Sequence, residues 1–383
     1  MTHTFYRFVP ALGVAAIVGI SWAADASDWP MWRCTPSRSG CTAEELPTDL
    51  NLHWRRQLPI AMPAWPDEPR LLFDDVPQPV VMGTTLFYGC TREDALIALD
   101  VGTGAALWRF DTEGPVRFAP VAMGGKVWFT SDDGHLYCLN ASDGSLRWKF
   151  RGGPADRRQL GNGRLISMWP ARGGPVVAGE HVYFAAGIWP FMGVFVYAID
   201  KDTGRAIWCN DDSDALYDMV DHNFKDTIGV SPQGYLAVIG DRLLVPCGRS
   251  WPACFDRRTG TLLYFRQGQP VEVSKGRSWG SQSWREGSSH VVGNSRYIFN
   301  VLNHGGRHYQ YAARRGLWGG ILRIEDGTLV ELASRTNLLP EVVLDQDVLY
   351  GGGDHIAAYR DSELVETETL GVRGTGLVVE ADG

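Results

Sequence analysis

His304 and His308 stand four residues apart, the spacing at which one helix face aims two imidazoles at a metal ion. Gly305 and Gly306 lie between them and oppose the helix that such a pair requires, so metal ligation is not expected there. Acidic residues crowd around His222 in DDSDALYDMVDHNFKD (211–226), but the stretch lacks the sixth-position glycine and twelfth-position glutamate of a calcium loop. GNG at 161–163 reads as a turn rather than a phosphate cradle, and no G-x-S-x-G, H-E-x-x-H or Walker pattern occurs. Seven cysteines (34, 41, 90, 138, 209, 247 and 254) include no CxxC or CxxCH, and their odd number leaves at least one unpaired. Cys34 and Cys41 flank TPSRSG, and Cys247 and Cys254 flank GRSWPA, so each pair could close a small loop, with geometry to decide. These residues predict no catalytic set and no metal site, and disulfide or core roles for the thiols.

Side chains suited to binding gather in long insertions at 151–174, 187–193, 210–233, 268–289 and 303–318. The face these would build carries Arg157, Arg158, Trp169, Arg172, Trp189, His222 and Arg249. It continues through Trp251, Trp279, Trp284, Arg285, His304, Arg307 and His308. Tryptophan and arginine enrichment marks protein or small-ligand contact surfaces, and indole faces also suit sugar rings. The alternative is that the tryptophans plug the fold beneath and the arginines pair with nearby aspartates.

Something regular must hold those insertions, and the sequence repeats itself. ALDVGTGAALW (98–108) returns as CLNASDGSLRW (138–148), AIDKDTGRAIW (198–208) and CFDRRTGTLLY (254–264). Each copy ends a unit of short β-type runs, which in 120–150 read PVAMG, KVWFTS, HLYCLN and LRWKF between turn residues. In D-x-x-T-G the aspartate bonds its own turn backbone and the glycine takes φ > 0, which places a tight turn between the third and fourth strands. The repeat positions are Ala98, Asp100, Gly104 and Trp108, then Asn140, Gly144 and Trp148, then Ala198, Asp200, Gly204 and Trp208, and finally Asp256, Gly260 and Tyr264. Asn140-Ala141-Ser142 also fits a glycosylation acceptor, but turn chemistry explains Asn140 better.

Units fall at 79–110, 120–150, 174–210, 234–267, 289–335 and 340–370, the last two degenerate. Four-stranded units of roughly 40 residues cannot bury both faces alone, and a ring of them is a β-propeller of antiparallel blades. A β-sandwich with coincidental turns is the alternative. Links between strands one and two, and between three and four, are minimal. Insertions fall only after strand four or between strands two and three, and strand alternation puts both on one face. LNLHWRRQL (50–58) reads as an isolated fourth strand with Trp54 outermost, and GLVVEADG (376–383) as an isolated first strand. Six units plus an incomplete seventh closed by terminal strands are therefore expected. A fragment of a longer protein is favoured over a two-stranded closing blade, because an exposed sheet edge is a liability.

The pattern A-x-D-x-x-T-G-x-x-x-W resembles the tryptophan-docking motif of quinoprotein-type propellers, the PQQ-like repeat. Ala98, Asp100, Thr103, Gly104 and Trp108 match throughout, as do Ala198, Asp200, Thr203, Gly204 and Trp208. The second copy departs at Cys138, Asn140 and Asp143, the fourth at Cys254 and Tyr264. The resemblance spans about 50–370 and takes in exported PQQ-binding-like repeat proteins and BamB-like proteins of outer-membrane assembly. It implies the fold more than an activity, because the motif is structural. Alcohol-oxidising quinoproteins would imply PQQ and calcium, adjacent cysteines, carboxylate and amide calcium ligands and an aspartate base. No two cysteines are adjacent here. A PQQ- and calcium-dependent dehydrogenase is thus the alternative reading, alongside the propeller part of a larger enzyme continuing past Gly383.

Composition agrees with an ordered all-β protein, with 45 glycines and only 21% charged residues in 383. A net charge of −8 and the absence of a long basic run argue against nucleic acid. Residues 1–26 read as an export signal, with Arg7, the apolar stretch VPALGVAAIVGISW (9–22), and small residues at Ser21-Trp22-Ala23 or Ala24-Asp25-Ala26 for cleavage. That stretch is shorter than the ~20 residues of a membrane helix, so no integral membrane segment is expected after cleavage. An N-terminal extension (27–49) then precedes the propeller (50–383). The function expected is a non-catalytic scaffold, periplasmic or secreted, contacting a protein partner or a small ligand such as a carbohydrate, with no cofactor.

Overall fold

The computed structural model describes residues 28–42, 52–67, 71, 73–161, 163–219, 225–248, 250–265, 289–301 and 319–332, with four short strands between 342 and 369. The signal-like residues 1–26 and the strand expected at 376–383 lie outside them. The described chain forms six four-stranded antiparallel sheets at 80–111, 121–151, 173–210, 237–264, 290–332 and 342–369, each in consecutive order. They coincide with the six sequence units to within a few residues.

The second sheet shows why these residues fold this way. Val121–Met123, Lys126–Thr130, His135–Asn140 and Leu146–Arg151 are its strands, and Met123 pairs with Lys126 across Gly124-Gly125, both at positive φ. The middle strands are buried on both faces and read as nearly continuous apolar runs, whereas the fourth alternates buried-leaning and exposed positions. The fourth strand is therefore the outer one. First strands are the inner ones, and each packs against the first strand of the next sheet, from Val80–Met82 through Val121–Met123, Gly173–Ala178, Ala237–Ile239 and His290–Gly293 to Val342–Asp345. That succession of inner strands is a propeller.

The repeated turns join neighbouring sheets. Asp100 Oδ1 accepts from the Thr103 amide (2.8 Å) and hydroxyl (2.7 Å), and Asp200 is bound likewise by Thr203. These donors hold both carboxyls below the usual carboxylate range. The turn glycine receives the ring of the preceding unit: a Cβ on Gly104 would lie 2.7 Å from Trp54, on Gly144 2.6 Å from Trp108, on Gly204 2.7 Å from Trp148, and on Gly260 2.5 Å from Trp208. Indole nitrogens then reach the carbonyl after the turn aspartate or asparagine, Trp54 to Val101 (2.6 Å), Trp108 to Ala141 (2.9 Å) and Trp208 to Arg257 (3.0 Å). Tyr264 does the same with its hydroxyl, 2.8 Å from the Ile324 oxygen.

Trp148 breaks the series. The carbonyl it would use, that of Lys201, accepts instead from Trp128 Nε1 at 3.1 Å, and the buried Trp148 N–H has no partner. Trp108→Phe should therefore cost about 1 kcal/mol more than Trp148→Phe, because only the former loses a hydrogen bond while both keep a ring on glycine. Equilibrium urea unfolding of the two variants measures the difference.

The expected strand at 50–58 is corrected in part. Residues 52–58 form no strand, yet Trp54 docks as an outer-strand tryptophan does. Its ring is fixed by the Gly104 turn, which needs no sheet partner. Cys247 and Cys254 do not close a loop: Cys247 pairs with Ser250 and Cys254 with Leu244 on the neighbouring strand, and their side chains enter different core clusters.

The N-terminal extension was legible only as an extension, but residues 28–42 line the centre of the ring. Trp29 bridges Val81, Pro30 O accepts from Ala122 N (2.7 Å), and Pro36 O accepts from Val238 N (2.8 Å), so the segment caps inner edges of the first, second and fourth sheets. Gly234–Tyr235 adds a parallel fifth strand to the inner edge of the third. Arg38, wholly buried, donates to the carbonyls of Leu236 (2.8 Å), Trp32 (2.9 Å) and Pro175 (2.9 Å), and Trp32 stacks on Tyr235 at 4.1 Å. Burial pulls the Arg38 guanidinium down to about 9, so it stays charged at neutral pH and holds all three carbonyls.

Candidate contact face

The three described insertions come together on one face. Two fold into hairpins, Arg158–Gly161 with Arg164–Ser167 and Leu216–Met219 with Lys225–Ile228. The first carried a signal, alternation on both sides of glycine, whereas four-residue strands in an acidic stretch carry almost none. Between the hairpins runs a 3₁₀ turn, Pro190–Met192. Met62 lies 4.0 Å from Arg164 of the first hairpin, Trp65 meets Trp189 edge-on at 6.0 Å, and Pro190 abuts Gly229 beside the second hairpin. Residues 60–65, both hairpins and the 3₁₀ turn are thus neighbours.

Beneath them lies a buried ionic network. Arg117 Nε is 2.6 Å from Asp132 Oδ2 and its Nη1 is 2.5 Å from Asp74 Oδ2, while Arg172 Nε and Nη2 take Asp132 at 2.6 and 2.9 Å. All four side chains are essentially without solvent exposure. They come from the links before the first, second and third sheets and from the strand-two-to-three link of the second, so the network ties three sheets at the base of this face. Burial alone would raise Asp132, but Arg117 and Arg172 outweigh it and hold the carboxyl below its ordinary value. At Asp74 burial prevails over Arg117 and Arg172, and the carboxyl is raised. Ala64 N donates to Asp74 (3.0 Å), and Arg117 to the Met62 carbonyl (2.8 Å), so the network also pins the 60–65 segment.

The expected face residues divide by environment. Trp169 is buried with Nε1 2.6 Å from the Met192 carbonyl, Arg172 belongs to the network, and Trp251 is buried on the strand Ser250–Asp256. Those three are corrected from contact residues to parts of the fold, as plugs and pairs. Arg157 and Arg158 are exposed on the first hairpin, where Arg158 pairs with Glu113, and Trp189 is partly exposed against Phe191. His222, Arg249, Trp279, Trp284, Arg285, His304, Arg307 and His308 lie outside the described residues. What sequence reading missed is apolar: Leu160 and Phe191 are each 84% exposed, Tyr217 71% and Leu165 52%, with Leu160 and Leu165 paired across the first hairpin. Solvent exposure of a leucine has no sequence signature of its own.

Three of the core thiols are poor nucleophiles here. Burial pushes Cys138 up to about 12 and Cys247 and Cys254 up to about 11. Among the described residues no three His, Cys, Asp or Glu side chains gather as a metal site, and no helix is long and apolar enough to cross a membrane.

Ring order, docked indoles and glycine turns define a β-propeller. Residues 51–208 match the family model described as outer membrane protein assembly factor BamB. Over that stretch the chain is similar to PQQ-like, BamB-like propeller repeat proteins. It is 33% identical over 135 residues to the dehydrogenase subunit of the quinone alcohol dehydrogenase of Gluconobacter oxydans, a match covering 32% of this chain and 17% of that protein. The corresponding subunit of Gluconacetobacter polyoxogenes is 30% identical over 135 residues, covering 32% and 18%. The chain thus matches less than a fifth of these curated relatives. Among solved structures, a quinohemoprotein alcohol dehydrogenase of Pseudomonas putida HK5 shares the fold at TM-score 0.55 and 14% identity, covering 88% of this chain and 58% of that one.

Proposed function

We propose that the chain is a non-catalytic, exported propeller that binds a protein partner through the face carrying both hairpins and the Pro190–Met192 turn. The observation that carries this reading is the set of exposed apolar side chains on neighbouring elements, Leu160 and Leu165 on the first hairpin, Phe191 in the 3₁₀ turn and Tyr217 on the second hairpin, above a buried ionic floor. Exposed apolar groups gathered on one face cost solubility unless something covers them, and arginine with aromatic groups is the composition of contact surfaces. The match to a family described as an outer membrane protein assembly factor supports a partner that is a protein. Export rests on the signal-like residues 1–26, and N-terminal sequencing of extracytoplasmic protein should begin at Ala24 or Ser27.

Quinone chemistry is less well supported by the side chains on hand. Both oxygens of Asp74 and of Asp132 are engaged by arginine or by the Ala64 amide, so neither buried carboxylate is left for calcium, and this reading takes no step through PQQ. Tagged wild type and the Leu160→Ser/Leu165→Ser/Phe191→Ser variant, immobilised against the same extracytoplasmic extract, test the binding reading. Loss of one stoichiometric partner at unchanged Tm is expected for the variant. Equal capture by both would remove this face from the account.

A further inference from the structure

We propose that Cys34 and Cys41 form an intramolecular disulfide that locks the 28–42 segment in the centre of the ring. The inference stands apart from the binding proposal, since it concerns the plug and not the contact face. Four observations carry it. First, the chain between the two cysteines is a closed loop, because Gly40 N donates to Arg33 O at 3.1 Å and Arg33 Nε donates to Arg38 O at 2.8 Å. The cysteines adjoin the two residues at its neck. Second, the loop is strained: Arg33, Cys34 and Arg38 have φ of 58°, 67° and 62°, left-handed values that non-glycine residues hold only when their surroundings impose them. Third, the strain has a purpose, for it turns Arg38 inward to its three carbonyl acceptors. Fourth, the remaining thiols are otherwise placed. Cys90, Cys138, Cys247 and Cys254 are buried in cores, Cys247 and Cys254 are kept apart by strand register, and Cys209 lies on an outer strand. Cys34 and Cys41 alone among the seven are both half-buried and at one neck. Burial, with the nearby Cys41 charge, pushes the Cys34 thiol up, and that mutual influence places the two sulfurs close together.

The chemistry is thiol–disulfide exchange with a small-molecule or protein disulfide. One of the two cysteine thiolates attacks that disulfide and releases one thiolate, then the other attacks the mixed disulfide so formed and releases the second. One S–S bond forms in the chain and one is reduced in the partner, whose two thiols receive the two electrons and two protons.

The test equilibrates the full chain in glutathione buffer at an oxidising poise, quenches with acid and digests with trypsin without reduction. The expected product is a disulfide-linked pair, residues 34–38 joined to 39–55, that separates on reduction and is absent from Cys34→Ser. Reduction should lower the Tm of wild type by about 2–6 °C and leave that of Cys34→Ser/Cys41→Ser unchanged. Complete alkylation of both cysteines at the oxidising poise, with no linked pair, overturns the proposal. A linked pair whose reduction leaves wild-type Tm and hydrogen exchange across 28–42 unaltered overturns the locking role.

Discussion

Asp132→Ala should destabilise the protein by roughly 3–5 kcal/mol, the range for removing one partner of a buried charge network. The aspartate bonds two guanidiniums, Arg117 at 2.6 Å and Arg172 at 2.6 and 2.9 Å, and truncation leaves both buried with too little negative charge. Arg117 would keep Asp74, but Arg172 would keep no carboxylate partner. Because the network ties three sheets and the 60–65 segment, the loss should also loosen the face above it. Denaturant unfolding measures the first effect and hydrogen exchange at 60–65 the second.

The same residue sets a pH dependence whose sign follows from its depressed carboxyl. A group held below its unfolded value contributes stability fully above that value, near 4 for aspartate, and loses it as pH falls through the folded value. Asp74 works oppositely: its raised carboxyl favours the folded state in acid and withdraws that contribution as pH rises from about 4 through its folded value. Asp132→Asn should therefore flatten the acid limb of a stability–pH curve, and Asp74→Asn should steepen it.

Gly144→Ala should cost about 2–4 kcal/mol, more than any surface change on the opposite rim. Two effects add. Gly144 sits at φ +71°, where a Cβ is disfavoured, and that Cβ would stand 2.6 Å from the docked Trp108 ring. Gly125 provides the control, with φ +74° and nothing within 4 Å of a Cβ, so Gly125→Ala should cost only about 1 kcal/mol. The difference between the two variants isolates the indole–glycine contact between sheets. A smaller cost for Gly144→Ala than for Gly125→Ala would mean that docking does not hold the ring.

Much of the scaffold was legible because its signals are local. A turn aspartate bonding residues two and three positions on, a glycine forced to positive φ and strands of four to six residues each leave a mark within eleven residues. The docking partner of each tryptophan was legible only as a space to fill, since the glycine it covers lies some 36 to 56 residues further along, as with Trp108 and Gly144 or Trp148 and Gly204. The 28–42 plug was illegible for the same reason. Arg38 binds carbonyls 137 and 198 residues away, and nothing in TPSRSG announces them. On the contact face the aromatic and arginine count pointed to the right insertions, but it could not separate Arg172 and Trp169, which build the floor, from Phe191 and Leu160, which stand above it. Burial there is decided by tertiary neighbours, not by residue type.

One rim of the ring is claimed as a protein-binding surface, and photocrosslinking tests that most directly. A photoreactive amino acid at Phe191, on the elaborated rim, and at Arg205, beside a strand-three-to-four turn on the other, would be activated in the same extracytoplasmic preparation. One discrete crosslinked product is expected from position 191 and none from position 205. A product of the same size from both positions, or from 205 alone, would contradict it.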